Sequence, residues 1–200
     1  MNKAYYWYRP HPYFDEFYPG QILYPVTDIR KISKYFSDPT RIALTKKYFP
    51  DGLSPHGLSM LLRYQSSNPN IQEPITEIIF ELIRQLHFPN DPSRLNSLYA
   101  SETIEQALQW KYLWCKYFDN EEGQAAKSLW EIGYETDSQL YDANWLDYLP
   151  CKNSKEFSYL IKLENAQHYW QHNFTPIPLP ELLIPYPVKI IRILRDADYM

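Results

Sequence analysis

Two hundred residues with a formal charge of −4 and 22% charged side chains suffice for one well-buried core of mixed architecture. The acidic balance excludes the broad basic footprint of a duplex-binding protein. Two cysteines, Cys115 and Cys151, lie far apart with no CxxC or CxH partner, so neither a disulfide framework nor a zinc knuckle is indicated. Aromatics are abundant, with 19 Tyr, 9 Phe and 6 Trp against 5 Gly. Such flat side chains with a polar tip suit an interior that holds a planar ligand, and equally a protein interface.

The first residues, MNKAYYWYRPHPYF, lack a continuous apolar run because Arg9 and two prolines interrupt them. No apolar stretch approaches the ~20 residues that span a bilayer. The expected setting is reduced and cytoplasmic, without a membrane. Ala4 to Arg9 reads as a first strand rich in aromatics; Pro10 and Pro12 stop it, leaving Arg9 and His11 near a strand end. Phe14 to Pro25 reads as a loop turning at Pro19-Gly20, and Thr27 as the cap of a short helix, Asp28 to Phe36. Asp38 to Pro55 is ambiguous. His56 to Tyr64 reads as a helix broken by Ser66 to Asn70.

Glu73-Pro74 opens the clearest helical pattern in the chain. Ile75, Ile78, Ile79, Leu82 and Leu86 fall on one face, which predicts that this stripe is buried. Glu77, Glu81 and Arg84 lie away from it, and Glu81 with Arg84 reads as a solvated pair. Asn90-Asp91-Pro92 is a turn former. A short strand, Leu95 to Ala100, follows, with Leu95, Ser97 and Tyr99 on one face. Ser101 is placed to cap the next helix, whose buried stripe is Ile104, Ala107, Leu108 and Trp114.

Asp119 to Gly123 reads as a loop. Ser128 to Glu135 reads as a strand with Trp130, Ile132 and Tyr134 on one side and Leu129, Glu131 and Gly133 on the other. Asp142 to Pro150 is a turn-rich connection. Ser154 is placed to cap a helix running to Trp170 that carries Phe157, Leu160 and Ile161. The closing segment FTPIPLPELLIPYPVKIIRIL reads as one or two strands with a bend imposed by Pro185 and Pro187. There is no Gly-rich phosphate loop, GxGxxG, HExxH or GxSxG motif.

The order of segments resembles the three-motif layout of the ADP-ribosyltransferase superfamily. An aromatic first strand ends in Arg9; SLYASETIEQALQW joins a Tyr99-bearing strand to a helix; Glu181 opens the apolar PELLIPYPVKI. More narrowly, the FPNDPSRLNSLYAS run, the LWEIGY strand and the late HYW before PLPELLIP resemble a bacterial domain family of uncharacterised function placed in that superfamily. Some such domains are toxins of anti-phage defence, one of them working as a toxin–antitoxin–chaperone set that modifies RNA. The resemblance implies a single α+β domain over residues 1–200, with a split mixed β-sheet, flanking helices and a helical insertion at about 27–88 after the first strand.

It also implies NAD as co-substrate, no metal, a macromolecular acceptor (RNA, DNA or protein), and an antitoxin and a chaperone as partners. Glu181 would act in catalysis by stabilising the oxocarbenium-like ribose. Tyr99 would stack on the nicotinamide and Ser97 would touch its amide. Arg9 would hold the adenylate ribose or phosphates, with His11 as the alternative, since the run here is Tyr8-Arg9-Pro10-His11 where the tyrosine-bearing class has His followed by Gly. Arg94 would grip the pyrophosphate, or else pair with Asp91 or the turn. Glu131 is the rival carboxylate, expected to face outward. The competing expectation is a non-catalytic module on the same fold, docking a protein or single-stranded nucleic acid through its aromatics.

Overall fold

The computed structural model describes residues 1–8, 16–28, 39–63, 72–117, 128–146 and 159–195. Along them run β1 (Asn2–Tyr8), β2 (Ile22–Leu23), α1 (Pro39–Tyr48), α2 (Pro55–Arg63), α3 (Gln72–His87), β3 (Ser97–Ala100) and α4 (Ile104–Tyr117). Then come β4 (Ser128–Tyr134), β5 (Gln139–Asp142), a single 3-10 turn at Ala143–Leu146, α5 (Tyr159–Trp170), β6 (Pro180–Pro185) and β7 (Val188–Leu194). The helix expected at Asp28 to Phe36, Arg9 and His11, the loop at Asp119 to Gly123 and the Ser154 cap lie mostly or wholly outside the described residues.

The strands form two sheets, one ordered β1-β4-β7-β2 and one ordered β3-β6-β5. The architecture is α+β, as the sequence suggested. Every described pairing is antiparallel, which corrects the expectation of a mixed sheet. Parallel neighbours need a crossover that returns to the same sheet. Here α4 instead carries the chain from one sheet to the other, and β5 and β6 run in opposite directions on either side of α5. The bend expected at Pro185 and Pro187 is where the chain changes sheets, at the cis Tyr186–Pro187 bond between β6 and β7.

The sheets pack face to face. Ala4, Trp130, Ile132, Val188 and Ile190 of the four-stranded sheet meet Leu98, Ala100, Leu182 and Ile184 of the three-stranded one. Alternation then sends the other residues of β3, β5 and β6 to the opposite face. That face, with Tyr141 and Leu183, is covered by Phe80 and Ile83 of α3 and by Ala166, Tyr169 and Trp170 of α5. On the outer face of the larger sheet, Ala107 of α4 packs with Trp7, Leu129 and Leu194. Buried indoles find acceptors across these layers: Trp7 Nε1 donates to Ala107 O at 2.7 Å and Trp170 Nε1 to Phe80 O at 2.8 Å.

Two helices present a different face from the one their sequence suggests. On α3, Ile78, Leu82 and Leu86 are exposed, whereas Thr76, Glu77, Phe80, Glu81 and Ile83 are buried. Glu81 is no solvated residue: it takes two nitrogens of Arg84, at 2.8 and 3.1 Å, and the Ser93 hydroxyl at 2.8 Å. On α5, Leu160 and Ile161 are exposed, and Lys162, Ala166, Tyr169 and Trp170 are buried. In both helices, charged side chains that meet partners elsewhere in the chain displace aliphatic ones from the interface.

The cap of α4 is Thr103 rather than Ser101. Thr103 Oγ1 accepts from Gln106 N at 3.2 Å, and Gln106 Oε1 reaches back to Glu102 N at 3.0 Å. Ser101 is held by backbone bonds to Tyr5 in both directions. Strands β2, which the sequence reading placed in a loop, and β5, most of which it left unassigned, are two and four residues long; both lie at sheet edges, where partners rather than pattern define them.

Candidate functional site

Arg94 is the centre of the polar interior. It sits in the turn before β3, a turn fixed by Ser93, whose hydroxyl accepts from Leu95 N at 3.1 Å and donates to Glu81. The Arg94 side chain is 2% exposed. Its Nε and Nη2 donate to the two oxygens of Glu77 at 3.0 and 2.9 Å, a fork-on-fork pair. Its Nη1 donates to Glu181 Oε1 and, at 2.7 Å, to the Tyr169 hydroxyl. The Tyr169 hydroxyl in turn donates to Glu181 Oε1 at 2.6 Å. The guanidinium also lies over two rings, 4.8 Å from the Tyr99 centroid and 5.2 Å from that of Tyr169.

The strand register explains why Tyr99 and Glu181 come together. Tyr99 lies opposite Leu183 on β6, so Glu181, two residues away, is its diagonal neighbour on the same face. Tyr141 lies directly opposite Glu181 from β5. Ser97 shares the face with Tyr99, and its buried hydroxyl has no hydrogen-bond partner among the described residues. The Tyr99 hydroxyl donates to Arg94 O at 2.6 Å, and its ring meets His56 edge-on at 4.7 Å. His56 Nε2 lies 2.8 Å from Glu77 Oε1. Tyr141 and Tyr169 stack at 4.5 Å, 9° from parallel, and His172 stacks on the other side of Tyr141 at 4.7 Å.

The two carboxylates on Arg94 are pushed apart electrostatically. Burial opposes the charge on Glu77, but Arg94 and then His56 outweigh it and hold its carboxyl well below the ordinary range. Burial dominates at Glu181 and raises its carboxyl; Arg94 and Tyr169 offset this only in part, and Glu77 adds to it. Burial likewise pushes the Tyr99 and Tyr169 hydroxyls well above their usual values. Glu181 Oε1 receives both donors described above, and no partner of Oε2 is found among the described residues.

Of the residues singled out in the sequence, Arg94, Tyr99 and Glu181 therefore come together, and Ser97 lies farther along the same sheet face, opposite Pro185, whereas Arg9 and His11 fall outside the described residues. Glu131 is elsewhere, on the four-stranded sheet. It faces away from Trp130, as expected, on the side of Leu129, but is only 3% exposed, covered by Lys3 at 2.5 Å and Arg192 at 2.8 Å. Glu77, His56, Tyr141 and Tyr169 were missed. The legible hint was that Glu77, Phe80, Glu81 and Arg84 form a face of their own on α3. Among the described residues no three His, Cys, Asp or Glu side chains come together to hold a metal ion, and no described helix is long and apolar enough to cross a membrane.

Fold and site together define an α+β protein with a buried Glu–Arg–Glu centre beneath a tyrosine-bearing strand. The chain belongs to the family described as protein of unknown function (DUF2441), whose profile matches residues 27–196. The match takes in Arg94, Ser97, Tyr99 and Glu181 and leaves out β1, Arg9 and His11. No curated protein matches the chain.

Proposed function

We propose that the protein is an NAD-dependent ADP-ribosyltransferase that modifies a macromolecule, nucleic acid or protein, in the manner of a defence toxin. The observation that carries this reading is the convergence of Tyr99, Ser97 and Glu181 on one sheet face. Glu181 Oε1 is fixed there by Arg94 and Tyr169, while Oε2 is left without a partner among the described residues. The two antiparallel sheets packed face to face support the split-sheet core that the resemblance implies.

In this reading NAD is a substrate, and the bond broken joins the ribose anomeric carbon to the nicotinamide nitrogen. Positive charge builds on the ribose as that bond lengthens, and the Oε2 of Glu181 would hydrogen-bond a ribose hydroxyl and stabilise it. The Tyr99 ring and the Ser97 hydroxyl would hold the nicotinamide by stacking and a hydrogen bond. The nitrogens of Arg94 are taken by protein groups, so its part would be to orient Glu181 rather than to grip the pyrophosphate. Arg9 or His11 would complete the adenylate side.

Labelled NAD tests this directly. The wild-type protein should release nicotinamide or label a macromolecule in a lysate, and Glu181→Gln should lose that activity by at least two orders of magnitude. Equal label in the variant, or no turnover and no NAD-induced thermal shift in the wild type, would refute the proposal. Toxicity on expression, relieved by Glu181→Ala, is the cellular counterpart.

A second reading, a docking module without catalysis, is favoured by a different observation. Ile78, Leu82 and Leu86 form an exposed stripe on α3, and Tyr18, Tyr24, Tyr112 and Phe174 are also exposed. That reading expects no turnover, and loss of a partner protein or single-stranded nucleic acid when these side chains are replaced by Ser.

A further inference from the structure

The run His168-Tyr169-Trp170 at the end of α5 points three rings to three neighbours. His168 stacks on Trp145 at 4.6 Å, and the Trp170 indole is tied to Phe80 O. Tyr169, between them, is wholly buried: Tyr141 stacks on its ring, and Phe80 and Trp170 meet it edge-on at 5.3 and 4.7 Å. Close packing on these sides holds the ring, and with it the hydroxyl, in place. That hydroxyl has one hydrogen, and its neighbours settle where it goes. Arg94 Nη1 donates to the hydroxyl oxygen at 2.7 Å, and a guanidinium cannot accept in return. The hydrogen is therefore directed to Glu181 Oε1, 2.6 Å away. Arg94 donates to the same oxygen, but through Nη1 alone, because its Nε and Nη2 are forked on Glu77. A single point of contact leaves a carboxyl free to turn about it; a second donor on a buried ring does not. With two donors converging on it, Oε1 is an acceptor in either state of Glu181, so a proton on this carboxyl sits on Oε2.

We propose that Tyr169 is a positioning residue for Glu181: it commits Oε1 to the protein and so reserves Oε2 as the oxygen that meets a ligand. The ligand half rests on the reading of Glu181 given above, with Oε2 on a ribose hydroxyl. The commitment of Oε1 does not, and it is read without NAD. The charged and titratable groups facing Glu181 are Arg94 from the turn before β3, Tyr99 from β3, Tyr141 from β5, Tyr169 from α5 and Glu77 from α3. Arg94 and Tyr169 are the two that bond to its carboxyl, and both favour the ionised form against burial. Without the Tyr169 hydroxyl, Oε1 keeps one donor and the carboxyl takes up a proton more readily.

Tyr169→Phe tests this, since it keeps the ring and removes only the hydroxyl. The readout is a carboxyl-carbon NMR titration of the full chain, with the Glu181 resonance identified by its absence in Glu181→Gln. The Glu181 midpoint should rise by roughly half a pH unit to one unit, the worth of one hydrogen bond to the ionised form. Trp170→Phe, which loosens the same helix end without touching Glu181, should lower the melting temperature and leave that midpoint in place. An unmoved midpoint in Tyr169→Phe would overturn the proposal. So would a Tyr169 hydroxyl proton with the same resonance in the wild type and in Glu181→Gln, a comparison that leaves Tyr169 intact should its own variant fail to fold. With labelled NAD, Tyr169→Phe should lower kcat by about tenfold or more while KM stays within about threefold, and an equal kcat would overturn the ligand half. A wild type without turnover removes the ribose reading, and the midpoint shift then decides the role of Oε1 by itself.

Discussion

Tyr99 and Glu181, 82 positions apart in the chain, are diagonal neighbours on one face of the three-stranded sheet, and the Arg94 guanidinium touches both. The face they share looks toward α3 and α5, whereas the opposite face packs on the other sheet through Leu98, Ala100, Leu182 and Ile184. The polar centre is therefore supported from three sides: by a strand ladder, by a helix that supplies Glu77, and by a helix that supplies Tyr169.

This geometry separates the stability roles of Arg94 and Glu181. Removing Arg94 takes from two buried carboxylates the guanidinium they share, so Arg94→Met should lower unfolding free energy by about 3–5 kcal/mol in urea denaturation. Arg94→Lys should rescue little, because an ammonium cannot fork onto Glu77 while reaching Glu181. Glu181→Gln should behave oppositely. Because burial raises the Glu181 carboxyl, its charged form is disfavoured in the fold, and the neutral isostere should cost less than about 1 kcal/mol or stabilise slightly.

The orientation of α3 gives a second contrast. Phe80 is fully buried against Tyr169, 5.3 Å between ring centroids, and Phe80→Ala should cost about 3–5 kcal/mol. Leu82, one turn from Ile78 on the exposed stripe, is 53% exposed, and Leu82→Ser should stay within about 0.5 kcal/mol. Thermal or urea denaturation of the two variants checks this, and the apolar stripe read from sequence alone would give the opposite ranking.

That contrast marks what the sequence could and could not show. Strand β1 was legible as a run of aromatics with strong β preference, β4 because Trp130, Ile132 and Tyr134 alternate in it, and α3 and α4 because their apolar residues recur at helical spacing. The joining of Tyr99 to Glu181 was legible only through the order of motifs, since no local pattern encodes which strands pair. The face of α3 was misread because periodicity counts apolar residues and is blind to partners. Glu77 and Glu81 are buried only because Arg94, Arg84 and Ser93 arrive from outside the helix or from its far end. His56 and Tyr169 lie in helices where a His or Tyr is unremarkable until the fold places a carboxylate against it.

Acid should destabilise the protein through Glu77. Its carboxyl lies below its ordinary value of 4.5 in the fold, so its contribution is fully present above that pH and is lost as pH falls. Glu181, raised in the fold, acts in reverse: its contribution is greatest at low pH and declines as pH rises past the ordinary carboxylate range. The melting temperature should therefore fall on acidification below about 4.5, with a shallower slope in Glu77→Gln. Glu181→Gln should remove the decline on the higher-pH side.

The segment between α5 and β6 is pinned by one carboxylate. Asp142 accepts from Asn144 N at 3.0 Å, Thr175 N at 2.7 Å, Thr175 Oγ1 at 2.5 Å and Leu179 N at 2.9 Å. Asp142→Ala strands buried donors, so it should cost about 2–3 kcal/mol. In hydrogen exchange the amides of Thr175 and Leu179 should lose protection, while those of β4 and β7 keep theirs. Since Leu179 leads directly into β6, the same change should loosen Glu181 before it loosens Tyr99.

Gly57 couples packing to the charge network. Ser54 caps α2, its hydroxyl accepting from Gly57 N at 3.0 Å and donating to Leu95 O at 3.0 Å, so the helix starts pressed against the turn that carries Arg94. A Cβ on Gly57 would collide with the Leu95 carbonyl and stand 3.0 Å from Leu53 Cδ2. The backbone on that side cannot yield as a flexible side chain could, so Gly57→Ala should cost about 1–3 kcal/mol. Relief requires α2 to lift from the turn, and His56, its next residue back, lifts with it. The contact between the His56 and Tyr99 rings, 4.7 Å apart, should then weaken, visible as loss of their cross-relaxation in NMR, while that between Tyr141 and Tyr169 persists. An unchanged His56–Tyr99 contact in a destabilised variant would mean that the strain is absorbed within α2 and does not reach the network.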